Sequence, residues 1–130
     1  MLKKALLLPL LALSPLKAGD PWTNGEIAIE AVFQTLVYID WRQTSSFHLS
    51  TYTDANGVEH SVGERNMMLG AHPKQSVINA ACLLTALGHF AISNSMTHRD
   101  RKFLQVATII VEGGVVYGNF AGSVKVRIRW

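Results

Sequence analysis

The sequence predicts an all-α fold, a three-helix bundle with polar inward stripes, after an N-terminal signal peptide and before a short strand-like tail. Apolar residues make up 48% and charged residues 16% of the 130 residues, which excludes a disordered chain. Three long stretches also show helical spacing of their apolar residues. We therefore expect a signal peptide at 1–18 and one helical domain at 19–130, with helices at about 24–44, 73–94 and 98–118 and the tail at 123–130.

The first eighteen residues have the three regions of a secretory signal peptide. Two lysines precede an apolar run at 5–16, and small residues follow at Ala18 and Gly19. The run is shorter than the roughly 20 apolar residues that span a bilayer, and prolines interrupt it. Cleavage after Ala18 is the first interpretation, and a retained membrane anchor is the alternative. Either way the chain is expected in the envelope of a bacterium, in the inner membrane or the periplasm.

Cleavage would change the charge of the chain. The full sequence has 12 Lys and Arg against 9 Asp and Glu, a formal charge of +3, and the first eighteen residues hold three of the lysines. The remaining chain is then neutral, which removes the main argument for a nucleic-acid partner. Cations concentrate in the tail, where Lys125, Arg127 and Arg129 alternate with apolar residues as in a strand. We expect these three side chains to contact anionic lipid, or alternatively to be a solvated end.

The first helix has a clear start signal and a polar stripe. Thr23 and Glu26 have the spacing of a capping box, which predicts that a helix begins just after Thr23. At 100° per residue, Glu26, Glu30 and Asp40 share one face of a largely apolar segment. The loop that follows contains Asn56-Gly57, which is typical of a short hairpin.

The second and third helices are more apolar than the first. Pro73 is suited to the first position of a helix, and His89 interrupts the apolar run that follows. In the third helix one face carries residues spaced by seven, namely His98, Gln105, Glu112 and Asn119. The opposite faces are apolar, as lipid-facing surfaces would be, although an unpartnered carboxylate at mid-membrane costs about 2.5 to 3.5 kcal/mol. The pattern favours a three-helix membrane bundle over a soluble or peripheral periplasmic one.

Convergence of the polar stripes would create an internal cluster. Its predicted members are Asp40, Gln43, Asn79, His89, Gln105, Glu112 and Asn119. Hydrogen bonding that holds the helices together is the preferred role for them. Asp40, His89 and Glu112 are the candidate metal ligands, because one imidazole and two carboxylates suit zinc or acid/base chemistry. The sequence contains no HExxH pair, no Gly-x-Ser-x-Gly and no phosphate-binding glycine loop.

Several blocks occur in a recognisable order. They are Asp40-Trp-Arg-Gln43-Thr44, Glu64-Arg-Asn66, His72-Pro73 and Glu112-Gly113. Over roughly residues 30 to 128 the chain resembles a group of small uncharacterised predicted membrane proteins of bacteria and their phages. In that group the blocks are an Asp-x-x-Gln-Thr helix end, a Glu-Thr-Asn-Pro loop, a His-Pro helix start and a Glu-Gly or Glu-Ala third helix. This chain departs from the group at Arg65 and Met67, where the group has threonine and proline.

The resemblance implies a fold and a compartment and brings no activity. The sequence therefore predicts a non-enzymatic small helical membrane protein of the envelope, phage-encoded if it follows the group, with membrane lipid and another membrane protein as partners. The alternatives are a metal-binding or acid/base enzyme centred on Asp40, His89 and Glu112, and a soluble periplasmic helical protein.

Overall fold

Three helices make up most of the chain that the computed structural model describes, residues 18–46, 51–61, 69 and 73–122. The predicted signal peptide, apart from Ala18, lies outside the described residues. So does the predicted tail with Lys125, Arg127 and Arg129. The helical expectation is confirmed for the described part, to which a two-stranded hairpin is added.

Helix α1 spans Asn24–Ser45 and begins where the capping box predicts. The hydroxyl of Thr23 accepts a hydrogen bond from the backbone N–H of Glu26, and the Glu26 carboxylate accepts one from the backbone N–H of Thr23. Two of the N–H groups that a helix start leaves without partners are thereby satisfied.

Strands β1 (Thr51–Thr53) and β2 (Glu59–Ser61) pair antiparallel as the hairpin expected at Asn56-Gly57. Gly57 has φ of 80°, a backbone conformation that glycine adopts without steric cost. Asp54 organises the turn, since its Oδ1 accepts from the backbone N–H groups of Asn56 and Val58. Its Oδ2 lies 3.0 Å from Nε2 of His60, and this hydrogen bond is the main reason why the pKa of Asp54 is lowered.

Helices α2 (Gln75–Asn94) and α3 (His98–Ala121) form a hairpin around the turn at 95–97. The prediction that α2 begins at 73 is wrong by two residues, because Lys74 keeps an extended backbone as the N-cap. Helix α3 begins at the predicted residue, where Thr97 caps it, but extends three residues beyond the predicted end at 118. Gly113, Gly114 and Gly118 do not interrupt it. At Gly113 a Cβ would lie 3.8 Å from the Leu36 side chain, so α1 approaches α3 closely there.

Helix α1 packs against both other helices, parallel to α3 and antiparallel to α2. The interior between them is mainly polar. Among the described residues four apolar side chains are buried, Phe33, Val37, Ile78 and Val116. Nine polar or charged side chains are buried, Glu26, Glu30, Gln43, Thr44, Ser46, His89, Ser93, Arg101 and Gln105.

The outer surface is correspondingly apolar. Leu84 on α2 is 72% exposed and Phe103 on α3 is 77% exposed. Other exposed large apolar residues on these two helices include Leu83, Leu87, Phe90, Ile110, Val111 and Tyr117. Two helices of the described chain, Gln75–Asn94 and His98–Ala121, are long and apolar enough to cross a membrane.

Candidate functional site: the polar interior

Buried and half-buried polar side chains form three layers along the bundle. The end layer contains Glu26, His98 and Arg101, near the α2–α3 turn. The middle layer contains Glu30, Gln34, His89, Gln105 and Thr108. The far layer contains Asp40, Gln43 and Asn119. Each layer joins α1 to at least one other helix through hydrogen bonds.

Arg101 is the centre of the end layer and has no exposed surface. Its Nη1 donates to Oε2 of Glu26 at 3.1 Å, an ion pair between two fully buried side chains. The other N–H groups donate to three backbone carbonyls, those of Ser93 (2.8 Å), Asp20 (2.6 Å) and Met96 (3.0 Å). The guanidinium also lies over the Trp22 ring, 4.5 Å from its centroid. Arg101 therefore ties the segment before α1 to the turn between α2 and α3.

Glu26 is held in its charged form by several donors. The backbone N–H of Thr23 is the largest contribution, and Nδ1 of His98 lies 3.0 Å from Oε1. These hydrogen bonds outweigh burial and lower the pKa of Glu26 from 4.5 to about 2. Because Arg101 carries the opposite charge, the charges of Glu26 and Arg101 in the end layer compensate each other.

The middle layer is organised around His89 on α2. Its Nδ1 lies 3.0 Å from Oε1 of Glu30, and its Nε2 lies 2.9 Å from Oγ1 of Thr108 on α3. The ring stacks on Phe33 with centroids 3.8 Å apart. One imidazole thus connects all three helices at one level.

Two side-chain amides donate hydrogen bonds to the Glu30 carboxylate. Nε2 of Gln34 donates to Oε1 at 2.8 Å, and Nε2 of Gln105 donates to Oε2 at 3.1 Å. Gln34 also reaches the carbonyl of Ala86, and Gln105 reaches the carbonyl of Glu26. Oε1 of Gln105 and Oγ of Ser93 are buried and have no hydrogen-bond partner among the described residues.

The far layer joins α1 and α3. Nδ2 of Asn119 donates to Oδ1 of Asp40 at 3.2 Å and to Oε1 of Gln43 at 3.0 Å. Nε2 of Gln43 in turn donates to the carbonyl of Val116 at 3.2 Å. These hydrogen bonds connect α1 to α3.

A cavity of about 140 Å³ opens beside the far layer. It is lined by Asp40 and Trp41 of α1, Cys82 and Thr85 of α2, and Glu112 of α3, with apolar neighbours. Glu112 makes no hydrogen bond within the part of the chain that the structure describes. The space is large enough for several water molecules.

The structure divides the predicted polar cluster. Asp40, Gln43 and Asn119 meet, and Asp40 shares the cavity with Glu112. His89 and Gln105 belong to the middle layer, which contains a different carboxylate, Glu30. Asn79 lies apart from both sets on the exposed side, where its Oδ1 accepts from Nε1 of Trp41 and Nε2 of Gln75.

The structure does not bring Asp40, His89 and Glu112 into one cluster, because His89 contacts Glu30 while Asp40 and Glu112 line the cavity. Within the described residues no group of three or more His, Cys, Asp or Glu side chains is arranged to hold a metal ion. The set of candidate residues also lacked four that carry most of the buried hydrogen bonds, Glu26, Glu30, Arg101 and Thr108. The acidic stripe of α1 is the sequence signal that could have added the two glutamates, because both lie on the face that carries Asp40.

The order carboxylate, imidazole, hydroxyl in the middle layer matches the connectivity of a hydrolase triad. The hydroxyl of Thr108, however, lies 2.8 Å from the Leu104 carbonyl and 3.1 Å from the Gln105 carbonyl, inside its own helix. The cavity beside the far layer does not include Thr108 in its lining. The Thr108 hydroxyl therefore lies between its own helix and the His89 ring.

No protein-family model, curated protein or solved structure matches the chain. The resemblance to small membrane proteins of bacteria and phages consequently remains a prediction from the sequence.

Proposed function

We propose that the chain is an integral membrane protein whose three helices lie in the bilayer around their polar interior. The observation that carries this proposal is the inverted burial, with nine polar and four apolar side chains buried among the described residues. A protein in water gains about 1.5 to 3 kcal/mol for each large apolar side chain that it buries. This bundle leaves such side chains outside on every helix.

In a bilayer the preference is reversed: apolar side chains are favoured on the outer surface of the bundle, and polar side chains are favoured in its interior. Lipid chains solvate Leu84, Phe103 and Ile110 at no cost, whereas Glu30, His89 and Gln105 must find partners inside the protein. The observed contacts have this form. Gln105 donates to the Glu26 carbonyl and to Glu30, and Glu30 also accepts from Gln34 and lies 3.0 Å from Nδ1 of His89. We place the lipid-facing lengths at 77–92 of α2 and 103–118 of α3, with α1 beside them from 27 onward.

The more specific role follows from the sequence. The proposed protein is a small non-enzymatic component of the bacterial envelope that contacts lipid and another membrane protein. Its export rests on the predicted signal peptide, and a phage origin rests on the resemblance. The polar layers serve this role by fixing the helices relative to one another.

Spin labels can test which surface faces lipid. The labels would be placed at Leu84→Cys and Ile110→Cys in a Cys82→Ala background, with the protein in liposomes. Both positions should collide readily with oxygen, which concentrates in lipid, and rarely with a water-soluble nickel complex. Asn56→Cys in the exposed hairpin turn is the matched control and should show the reverse. Nickel accessibility at 84 and 110 equal to that at 56 would refute the membrane proposal and leave a soluble periplasmic protein.

A further inference from the structure

Each hydrogen bond of the middle layer requires one hydrogen atom on one of its two partners. Oε1 of Glu30 accepts from Gln34, and Oε2 accepts from Gln105. The 3.0 Å contact between Nδ1 of His89 and Oε1 of Glu30 also requires one hydrogen. The remaining ring nitrogen, Nε2, can hold a hydrogen or not.

The Thr108 hydroxyl accommodates both states of Nε2. With a neutral ring, the hydroxyl donates its single hydrogen to Nε2 over 2.9 Å. With a protonated ring, Nε2 donates to Oγ1, and the hydroxyl turns to the Leu104 carbonyl 2.8 Å away. No heavy atom has to move, because a rotation of one O–H bond exchanges the two patterns.

We propose that Nε2 of His89 is a reversible proton-binding site inside the bundle. Adding the proton turns a lone Glu30 carboxylate into a neutral ion pair, and releasing it restores the single negative charge. The inference goes beyond the proposed membrane role and rests on hydrogen bonds that hold in either environment. A bilayer would add to the advantage of the neutral pair.

The surroundings of the ring supply one direct counter-charge. From α1 the facing titratable group is Glu30, while Glu26, one turn away, is already paired with Arg101. From α3 the neighbours are the neutral Thr108 and Gln105, and the nearest carboxylate on that side is Glu112, one turn beyond Thr108. From α2 itself, Cys82 lies two turns before His89. Glu30 is therefore the group on which proton binding depends.

The cavity lies one helical turn from the middle layer on both α2 and α3. Thr85 lies one turn before His89 on α2, and Glu112 lies one turn after Thr108 on α3, so each shares a helix face with its neighbour in the middle layer. Both line the cavity of about 140 Å³, whereas neither His89 nor Thr108 does, so one helical turn separates the cavity from the ring.

Nuclear magnetic resonance of the full chain with ¹⁵N-labelled histidine, purified in detergent, tests the site. The His89 signals are assigned from their loss in His89→Gln. In the folded wild type they should move reversibly with pH between the pattern of a ring with two N–H groups and that of a ring with one. Glu30→Gln should lower the protonated share at each pH within this transition. Signals that stay fixed while the protein remains folded, or that ignore the change at Glu30, would overturn the proposal.

The hydroxyl has its own variants, which also serve if Glu30→Gln does not fold. Thr108→Val removes the acceptor that the charged ring needs and should lower the protonated share, while Thr108→Ser should restore it. Thr35→Val is the control, because that hydroxyl donates to the Ala31 carbonyl on an exposed face of α1. An equal response of the His89 signals to both valine variants would contradict the proposed role of Thr108. Because these outcomes do not depend on lipid contact, they are separate from the spin-label result.

Discussion

At the scale of single residues, Arg101 concentrates the chemistry that holds the bundle ends together. A charge with no exposed surface is tolerated because its donors are bonded to Glu26 and to three carbonyls. The favourable part of such a pair is small after desolvation, but removal of one partner leaves a buried charge behind. The effect of a substitution should therefore far exceed that of an exposed arginine.

Arg101→Met should lower the free energy of unfolding by about 3 to 5 kcal/mol, measured by denaturant titration in detergent. Arg99→Met is the matched control on the same helix, because Arg99 is exposed, and its effect should stay within about 0.5 kcal/mol. Similar losses for the two variants would show that the buried ion pair does not hold this end of the bundle.

Glu26 makes the stability depend on pH in a defined direction. Its pKa is lowered from 4.5 to about 2 in the folded chain, so the folded state favours the charged carboxylate. The resulting stabilisation is complete above pH 4.5 and is lost as the pH falls towards 2.

Thermal unfolding should therefore show Tm decreasing between pH 4.5 and 2, and Glu26→Gln should show a smaller decrease over that range although it is less stable at neutral pH. Asp54→Asn is the comparison, because the pKa of Asp54 is also lowered but its hairpin lies outside the helix bundle. A Tm slope in Glu26→Gln equal to that of the wild type would contradict the assignment.

At the scale of elements, the helix starts are set by caps of unequal strength. Thr23 takes part in a capping box with Glu26, which itself bonds to Arg101 and His98. Thr97 accepts from the backbone N–H of Asp100 at 3.3 Å and donates to the Asp100 carboxylate, on an exposed surface. The two caps therefore differ in how much else depends on them.

Thr23→Ala should cost about 1 to 2 kcal/mol of unfolding free energy and Thr97→Ala about 0.5 to 1, since cap substitutions span this range. Chemical denaturation of both variants in one detergent gives the comparison. A larger loss for Thr97→Ala would show that the end layer does not add to the first cap.

The elements themselves were predictable because their signals are local. The capping box fixed the start of α1, the apolar period identified α2 and α3, and Asn56-Gly57 located the hairpin. The errors occurred at ends, where Lys74 remained extended and α3 continued through Gly118 to Ala121. A cap or a glycine changes the helix energy by only about 1 kcal/mol, which packing can override.

The partners within the polar interior were less predictable, because they depend on the register between helices. His89 is five residues from the end of α2 and Glu30 is six residues from the start of α1, so antiparallel packing brings them to one level. Asp40 is ten residues further along α1, about 15 Å at 1.5 Å per residue. The long connection at 46–74 leaves this register unspecified in the sequence. The polar face of each helix could therefore be predicted, but the residue pairs that meet between helices could not.

At the scale of the whole molecule, helix lengths agree with the bilayer. The 22, 20 and 24 residues of α1, α2 and α3 correspond to about 33, 30 and 36 Å, against a hydrocarbon thickness of about 30 Å. Since α2 is antiparallel to both neighbours, a spanning bundle places the α1 start and the α2–α3 turn on one side. The hairpin and the end of α3 lie on the other.

Charge gives conflicting indications of which side is which. After cleavage of a signal peptide, the start of α1 and residues 99–102 would face the periplasm, against the positive-inside tendency, while the basic tail would face the cytoplasm in agreement with it. We expect export of the N-terminus to determine the orientation of the helices. The opposing charge of residues 99–102 is reduced, because Glu26 neutralises the buried Arg101 and Asp100 lies beside Arg99. Reporter fusions after Thr44, Asn94 and Trp130 should then report cytoplasm, periplasm and cytoplasm. Three periplasmic reports would establish a soluble exported protein, and the reverse alternation would show that residues 99–102 set the orientation.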